Sequence, residues 1–192
     1  MPLGEGPFTA ADFSELSGLA VAAWTAGLDR DWSAPAGTLE WSCFQTADHA
    51  IDCVFSYALF LASRRPDVYP PFTELHALPG ATPRDLVNGM AAVCEMLASA
   101  IAHAPADARA VIFGLGDLGL GTPQDFAARG GLELILHAHD VCTGLDVAFA
   151  PDRALCARLR DHTRDWPGVR DIPATDDAWS DVLARSGRPR VA

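Results

Sequence analysis

The chain has 192 residues, of which 49% are apolar, and a formal net charge of −11. A chain of this length forms one domain, or one domain with a tail, and can bury a substantial core. The negative charge argues against a nucleic-acid-binding protein, which needs a basic face against the phosphates. The N-terminus lacks the pattern of a signal peptide, and the apolar runs are shorter than a membrane span. We therefore expect a cytoplasmic protein with no membrane partner.

Four predicted helices begin with the same capping signal, a hydroxyl residue three positions before a polar acceptor. The pairs are Thr9 with Asp12, Ser42 with Gln45, Thr82 with Asp85, and Thr122 with Asp125. We predict a helix of about 20 residues after each signal, the fourth ending near Gly144, and two shorter helices at about 152–164 and 175–185. No segment has a convincing strand pattern. The sequence thus predicts an all-α fold, with a bundle over residues 1–150 and a helical C-terminal extension over 151–192.

The link between the second and third helices is long and rich in proline. It runs from Arg65 to Gly80 and reaches about 50 Å when extended, whereas a helix of about 20 residues is only about 30 Å long. The link can therefore return along the bundle, which favours parallel second and third helices. If the fourth helix then reverses, His49, Glu133 and His137 lie at the same level.

Glu133 and His137 give the strongest functional signal, because residues four apart stand on one face of a helix, one turn from each other. A carboxylate and an imidazole at this spacing can bind one divalent metal, and His49 from the second helix completes a set of three ligands. Three protein ligands leave one coordination position open, which is typical of a catalytic site. Two imidazoles and a carboxylate suit zinc best, while nickel or another late transition metal would fit the same set.

Two further residues share the face of Glu133 and His137. Asp140 is either an acceptor that orients an imidazole or simply a polar residue near the helix end. Arg129 either binds an anionic substrate or pairs with a nearby acid. The sequence leaves both alternatives open.

Other candidates near the site have simpler expected roles. Cys53, one turn from His49, is expected to pack as a small apolar residue, and as a fourth ligand it would close the site. His139 leaves from nearly the opposite side of its helix and is not expected at the metal. Trp24 or Trp41 could line a pocket near the open end.

Several segments, in their order and spacing, resemble the N-terminal domain of actinobacterial mycothiol-dependent maleylpyruvate isomerases, a DinB-like family. The segments are Asp31-Trp-Ser, Glu40-Trp-Ser, Thr46-Ala-Asp-His49, Glu133-Leu-Ile-Leu-His137-Ala-His-Asp140, and Asp177-Ala-Trp179 through Ser186-Gly187-Arg188. The resemblance covers most of the chain. It implies an up-down-down-up four-helix bundle that binds a divalent metal, commonly zinc, through His49, Glu133 and His137.

The resemblance also implies a reaction class, in which the metal activates mycothiol or another low-molecular-weight thiol for transfer to, or isomerisation of, a small electrophilic substrate. Members of the family carry a further C-terminal α/β domain, whereas this chain ends at Ala192, so we expect maleylpyruvate to be a poor substrate. The expected partner is a small molecule, and the expected state is a monomer or homodimer.

Three functional alternatives remain at this stage. The metal could activate a thiol or, by lowering the pKa of a bound water, support hydrolysis. The bundle could instead be a non-enzymatic module that binds a metal or small ligand as a sensor or carrier. A metal-free bundle, in which the same side chains only hydrogen-bond one another, is the weakest hypothesis.

Overall fold

The computed structural model describes residues 6–72, 74–112 and 119–190. Within these ranges the chain forms six helices and one two-stranded sheet. The elements are α1 (Ala10–Ala26), α2 (Cys43–Ser63), α3 (Pro83–His103), β1 (Ala110–Ile112), β2 (Gly119–Gly121), α4 (Pro123–Leu145), α5 (Arg153–His162) and α6 (Ala178–Arg185). The all-α class is confirmed at this level of detail. The DinB-like identity of the bundle stays a prediction.

All four long helices begin at the capping boxes read from the sequence. At the start of α4, the backbone N–H of Asp125 donates to the Thr122 hydroxyl over 3.1 Å. The Asp125 carboxylate in turn accepts from the Thr122 backbone N–H over 2.7 Å. Two backbone donors that have no partner within the helix are thereby satisfied. At its other end, α4 stops where Asp146 adopts a left-handed conformation with φ of 53°.

The four long helices pack around one core, with α2 against α3 and α4, and α1 against α3 and α4. The early part of α2 lies beside the early part of α3, since a Cβ at Gly89 would stand 3.5 Å from Ile51. The start of α2 instead meets the end of α4, where Cys43 Sγ is 3.6 Å from the Val141 carbonyl oxygen. Helices α2 and α3 therefore run in one direction and α4 in the other.

The small sheet corrects the expectation that the chain has no strand. Strands β1 and β2 pair antiparallel, with Ala110 opposite Gly121 and Ile112 opposite Gly119. The sheet is joined to the end of α2, because the Val111 N–H donates to the Arg65 carbonyl over 2.8 Å. Three-residue strands are too short to establish an alternating pattern in the sequence.

The C-terminal segment packs on the bundle through α5 and α6. Helix α5 contacts α4 and α6. The Arg158 guanidinium of α5 forms an ion pair with Asp12 of α1, and His162 Nε2 lies 2.9 Å from the Asp125 carboxylate at the start of α4. These contacts hold the segment against the N-terminal ends of α1 and α4.

Helix α3 is the one helix of the described residues that is long and apolar enough to cross a membrane by length and composition alone. Its apolar stripe faces the core, with Leu86, Met90, Val93 and Leu97 all buried. The core helix of a soluble protein passes the same test of length and composition. The membrane criterion is therefore weak here, and a cytoplasmic location stays a prediction.

Candidate metal centre

The antiparallel contact of α2 with α4 brings two ladders of polar side chains together. Positions four apart lie one above another on a helix, so each ladder has three successive turns. The α2 ladder is His49, Cys53 and Tyr57, and the α4 ladder is His137, Glu133 and Arg129. Their order is reversed because the helices run in opposite directions, which places the two histidines at one level.

The three predicted ligands lie close together at that level. The rings of His49 and His137 are 5.2 Å apart between centroids, in an edge-to-face arrangement. His137 Nε2 lies 3.3 Å from Glu133 Oε2. Cys53 also belongs to this cluster, because the nearest donor atoms of His49, Cys53 and Glu133 all lie within 4.8 Å of one another.

The donor separations can be compared with those around a tetrahedral zinc ion. Zinc binds nitrogen and oxygen at about 2.0–2.2 Å and sulfur at about 2.3 Å, so adjacent ligands should lie about 3.4 Å apart for nitrogen and oxygen, and about 3.6 Å apart for nitrogen and sulfur. The distance from His137 Nε2 to Glu133 Oε2 is 3.3 Å. The distance from His49 Nε2 to Cys53 Sγ is 3.5 Å. Each pair is therefore spaced to share one zinc ion, and the donor atoms that come together within 4.8 Å of one another are those of His49, Cys53 and Glu133.

The second oxygen of Glu133 is held by two other side chains. Arg129 Nη2 lies 2.8 Å from Glu133 Oε1, and the Tyr57 hydroxyl donates to the same oxygen over 3.5 Å. Burial opposes ionisation of Glu133, but the hydrogen bond from His137 and the charge of Arg129 lower its pKa to about 2. Glu133 is therefore an anion at neutral pH, with Oε2 directed to His137.

His137 lies between two carboxylates. Its Nε2 faces Glu133, and its Nδ1 lies 3.4 Å from Asp140 Oδ2. Burial alone would lower the pKa of His137, but Asp140 and Glu133 together raise it. Asp140 is itself fixed by Arg188, whose Nε and Nη2 donate to the two carboxylate oxygens over 2.8 and 2.5 Å. The geometry at His137 Nδ1 is too poor for a hydrogen bond, which leaves that buried nitrogen without a bonded partner among the described residues.

His49 occupies the more accessible side of the cluster. Trp41 is 46% exposed, and its ring contacts the His49 ring at 5.1 Å between centroids. Burial and the neighbouring His137 lower the pKa of His49, which favours the neutral imidazole that binds metals. Trp24, in contrast, is fully buried against Trp32 and lines no pocket at this site.

The structure shows the contacts of the residues whose roles the sequence left open. Arg129 pairs with an acid, Glu133, while Asp140 lies beside the His137 imidazole. His139 contacts Trp179 of α6, away from the cluster, as its helical phase predicts. Cys53 was expected to pack as a small apolar residue one turn from His49, and its sulfur lies 3.5 Å from His49 Nε2, where it could also bind the metal.

Sequence reasoning missed two residues of this site, Tyr57 and Arg188. Tyr57 is four residues after Cys53, which is four residues after His49, so all three share one face of the helix. Following this spacing one more turn along the sequence would have identified Tyr57. Arg188 gives no local signal, because only tertiary packing brings the C-terminal segment beside Asp140.

Comparisons of the chain with protein-family models, with curated proteins and with solved structures find no match.

Proposed function

We propose that this chain is a divalent-metal-dependent enzyme with a DinB-like bundle, in which His49, Glu133 and His137 bind the metal, most simply zinc. Its reaction would be the transfer of a small thiol, such as mycothiol, to an electrophilic substrate, or the thiol-dependent isomerisation of that substrate. The observation that supports this best is that two imidazoles and a carboxylate from antiparallel helices lie together, with the donor atoms of His137 and Glu133 at a separation suited to one zinc ion. We choose thiol chemistry over hydrolysis because the sequence resembles the mycothiol-dependent isomerases.

A divalent metal at this position would lower the pKa of a bound thiol, so that the nucleophilic thiolate is present at neutral pH. The protein's own side chains prepare the site for this role. Arg129 and Tyr57 hold one oxygen of Glu133 and leave the other for binding. Arg188 fixes Asp140, which stands behind the His137 imidazole and presents its negative charge to the ring.

Access to the site supports an enzyme. The half-exposed Trp41 and the partly exposed His49 lie at the outer edge of the cluster. A small substrate can approach from this side, with the Trp41 ring as an apolar wall. Three ligands would leave the open coordination position that catalysis requires.

A second candidate function follows from Cys53. Its sulfur is close enough to join His49 and Glu133 around one ion. With His137 the set would then contain four protein ligands, which is typical of a closed, structural zinc site. A closed site favours a non-enzymatic sensor or carrier over an enzyme.

Cobalt substitution distinguishes the two functions. Cobalt(II) replaces zinc with similar geometry, and a bound thiolate gives an intense near-ultraviolet charge-transfer band. If the enzyme proposal is right, the cobalt-loaded chain has no such band until a small thiol is added, and Cys53→Ser behaves in the same way. A band that is present without added thiol and lost in Cys53→Ser would favour the sensor or carrier.

Catalysis itself is tested by the rate at which a small thiol adds to an electrophilic acid in the presence of the chain. We expect acceleration that disappears on chelation and returns with zinc. His139→Ala is the matched control, because its side chain contacts Trp179 and lies on the same helix as two ligands. A metal-loaded chain that never binds a thiol would contradict the proposal.

A further inference from the structure

Four arginines line one cavity between α4, α6 and the turn that follows α5. The cavity has a volume of about 350 Å³, and its wall includes Arg129, Arg160, Arg185 and Arg188. The whole chain has only 14 basic residues and a net charge of −11. Four guanidinium groups in one cavity of an acidic protein would repel one another unless nearby carboxylates balance their charges.

Three of the four arginines have carboxylate partners. Arg129 pairs with Glu133, Arg188 with Asp140, and Arg160 with Asp181. The positive charges of these three side chains are therefore balanced inside the fold. They contribute N–H donors to the cavity wall and little net charge.

Arg185 differs from the other three. It is only 6% exposed, and its guanidinium donates to two backbone carbonyl oxygens, those of Ile172 over 3.0 Å and Arg160 over 3.5 Å. Its Nε is buried and has no hydrogen-bond partner among the described residues. In the same described ranges no carboxylate forms an ion pair with it. A buried cation in this state is costly unless a ligand supplies the missing negative charge.

We propose that this cavity is a binding site for a small organic anion, with a carboxylate or phosphate group held by Arg185. The planar guanidinium offers paired N–H donors that match the oxygens of either group. The volume lies at the small end of ligand pockets, which run from about 300 to 1,000 Å³, so the ligand is a small acid. The site stands independently of the metal, because Arg185 touches none of the predicted metal ligands.

The position of the cavity links it to the metal centre without making it part of that centre. Arg129 lines the cavity and also holds Glu133, while Arg188 lines it and also holds Asp140. An acid bound at Arg185 would therefore lie beside the α4 face that carries the predicted ligands.

Titration calorimetry of the chelator-treated chain tests the proposal, with succinate and inorganic phosphate as the probes. We expect saturable binding of at least one probe at one site per chain, and the tighter probe identifies the preferred anion. Arg185→Met keeps much of the side-chain volume and removes the charge, so its affinity should fall about tenfold or more. Arg164→Gln is the control, because the Arg164 side chain is 58% exposed and does not line the cavity.

A second measurement uses only the wild-type chain, so it tests the proposal even if the Arg185→Met protein does not fold. The side-chain Nε–H resonances of arginine are visible by NMR, and those of Arg185 should shift on titration with the bound probe. Failure of both probes to saturate the wild-type chain would overturn the proposal. Unchanged affinity in Arg185→Met, or binding that needs added zinc, would overturn it as well.

Discussion

Asp140 shows how much a single side chain beyond the ligands can contribute to the site. It is almost fully buried, its carboxylate is fixed by Arg188, and it lies 3.4 Å from His137 Nδ1. Burial alone would raise the pKa of Asp140, but Arg188 and His137 together lower it. The residue therefore presents a negative charge to the imidazole, which increases the basicity of the ring.

We accordingly predict that Asp140→Ala weakens zinc binding by about tenfold to a hundredfold. Competition with a chromogenic chelator measures the affinity directly. Arg188→Met should produce a smaller loss in the same direction, since Asp140 remains but is less well fixed. An affinity in Asp140→Ala equal to that of the wild type would show that the carboxylate does not act on the metal.

At the scale of an element, Gly144 explains how α4 meets the segment before α2. A Cβ at this position would collide with the Pro35 carbonyl oxygen and lie 2.5 Å from Cys43 Sγ. The helix was expected to end near Gly144, and α4 ends one residue later, at Leu145, so the glycine lies inside its last turn. Its role is to let the backbone of residues 35–43 approach the helix, which sets the height of α2 against α4.

We predict that Gly144→Ala destabilises the fold by about 1–3 kcal/mol, because the added methyl group overpacks this contact. Gly18→Ala is the matched control, since Gly18 lies inside α1 and an added Cβ would meet no atom within 4 Å. That variant should be neutral or up to about 1 kcal/mol more stable, given the helix preference of alanine. Thermal or urea unfolding compares the two, and equal stabilities would contradict the packing role of Gly144.

The same elements show what the sequence can and cannot predict. A capping box is formed by residues close together in the sequence, so the starts of all four long helices could be predicted, at Thr9, Ser42, Thr82 and Thr122. Helical spacing likewise placed Glu133 and His137 on one face, and the link length favoured the direction that α3 takes. The short strands were missed because three residues carry no period. The contacts of Arg188 and Arg185 arise from tertiary packing, for which one sequence has no local signal.

At the scale of the whole molecule, Asp181 of α6 ties the C-terminal segment together. Its fully buried carboxylate accepts from Thr175, from Arg160 over 3.1 Å and from Arg190 over 2.7 Å. Burial alone would raise the pKa of Asp181, but the bonds from Thr175, Arg190 and Arg160 together lower it. A carboxyl with a depressed folded pKa stabilises the fold above its unfolded pKa, and that contribution is lost as the pH falls through the folded value.

We therefore predict that Asp181→Asn costs about 1–3 kcal/mol of unfolding free energy at pH 7, because several donors lose a charged acceptor. The difference from the wild type should narrow as the pH falls below about 4, where the carboxyl of the unfolded wild-type chain takes up a proton, and should vanish once the pH passes the depressed pKa of the folded protein. Urea unfolding across this pH range measures both effects, with the exposed Asp171→Asn as the control. A difference that stays constant down to pH 3 would contradict this account of the network.

The metal content of the purified chain is the most direct test of the central claim, the site formed by His49, Glu133 and His137. After loading with zinc and removal of the excess, elemental analysis should find about one metal ion per chain. His49→Ala and His137→Ala should lose most of it, while His139→Ala, whose ring contacts Trp179, should keep it. A wild-type chain that stays empty with every candidate metal, or a site emptied by His139→Ala and not by His137→Ala, would contradict the account.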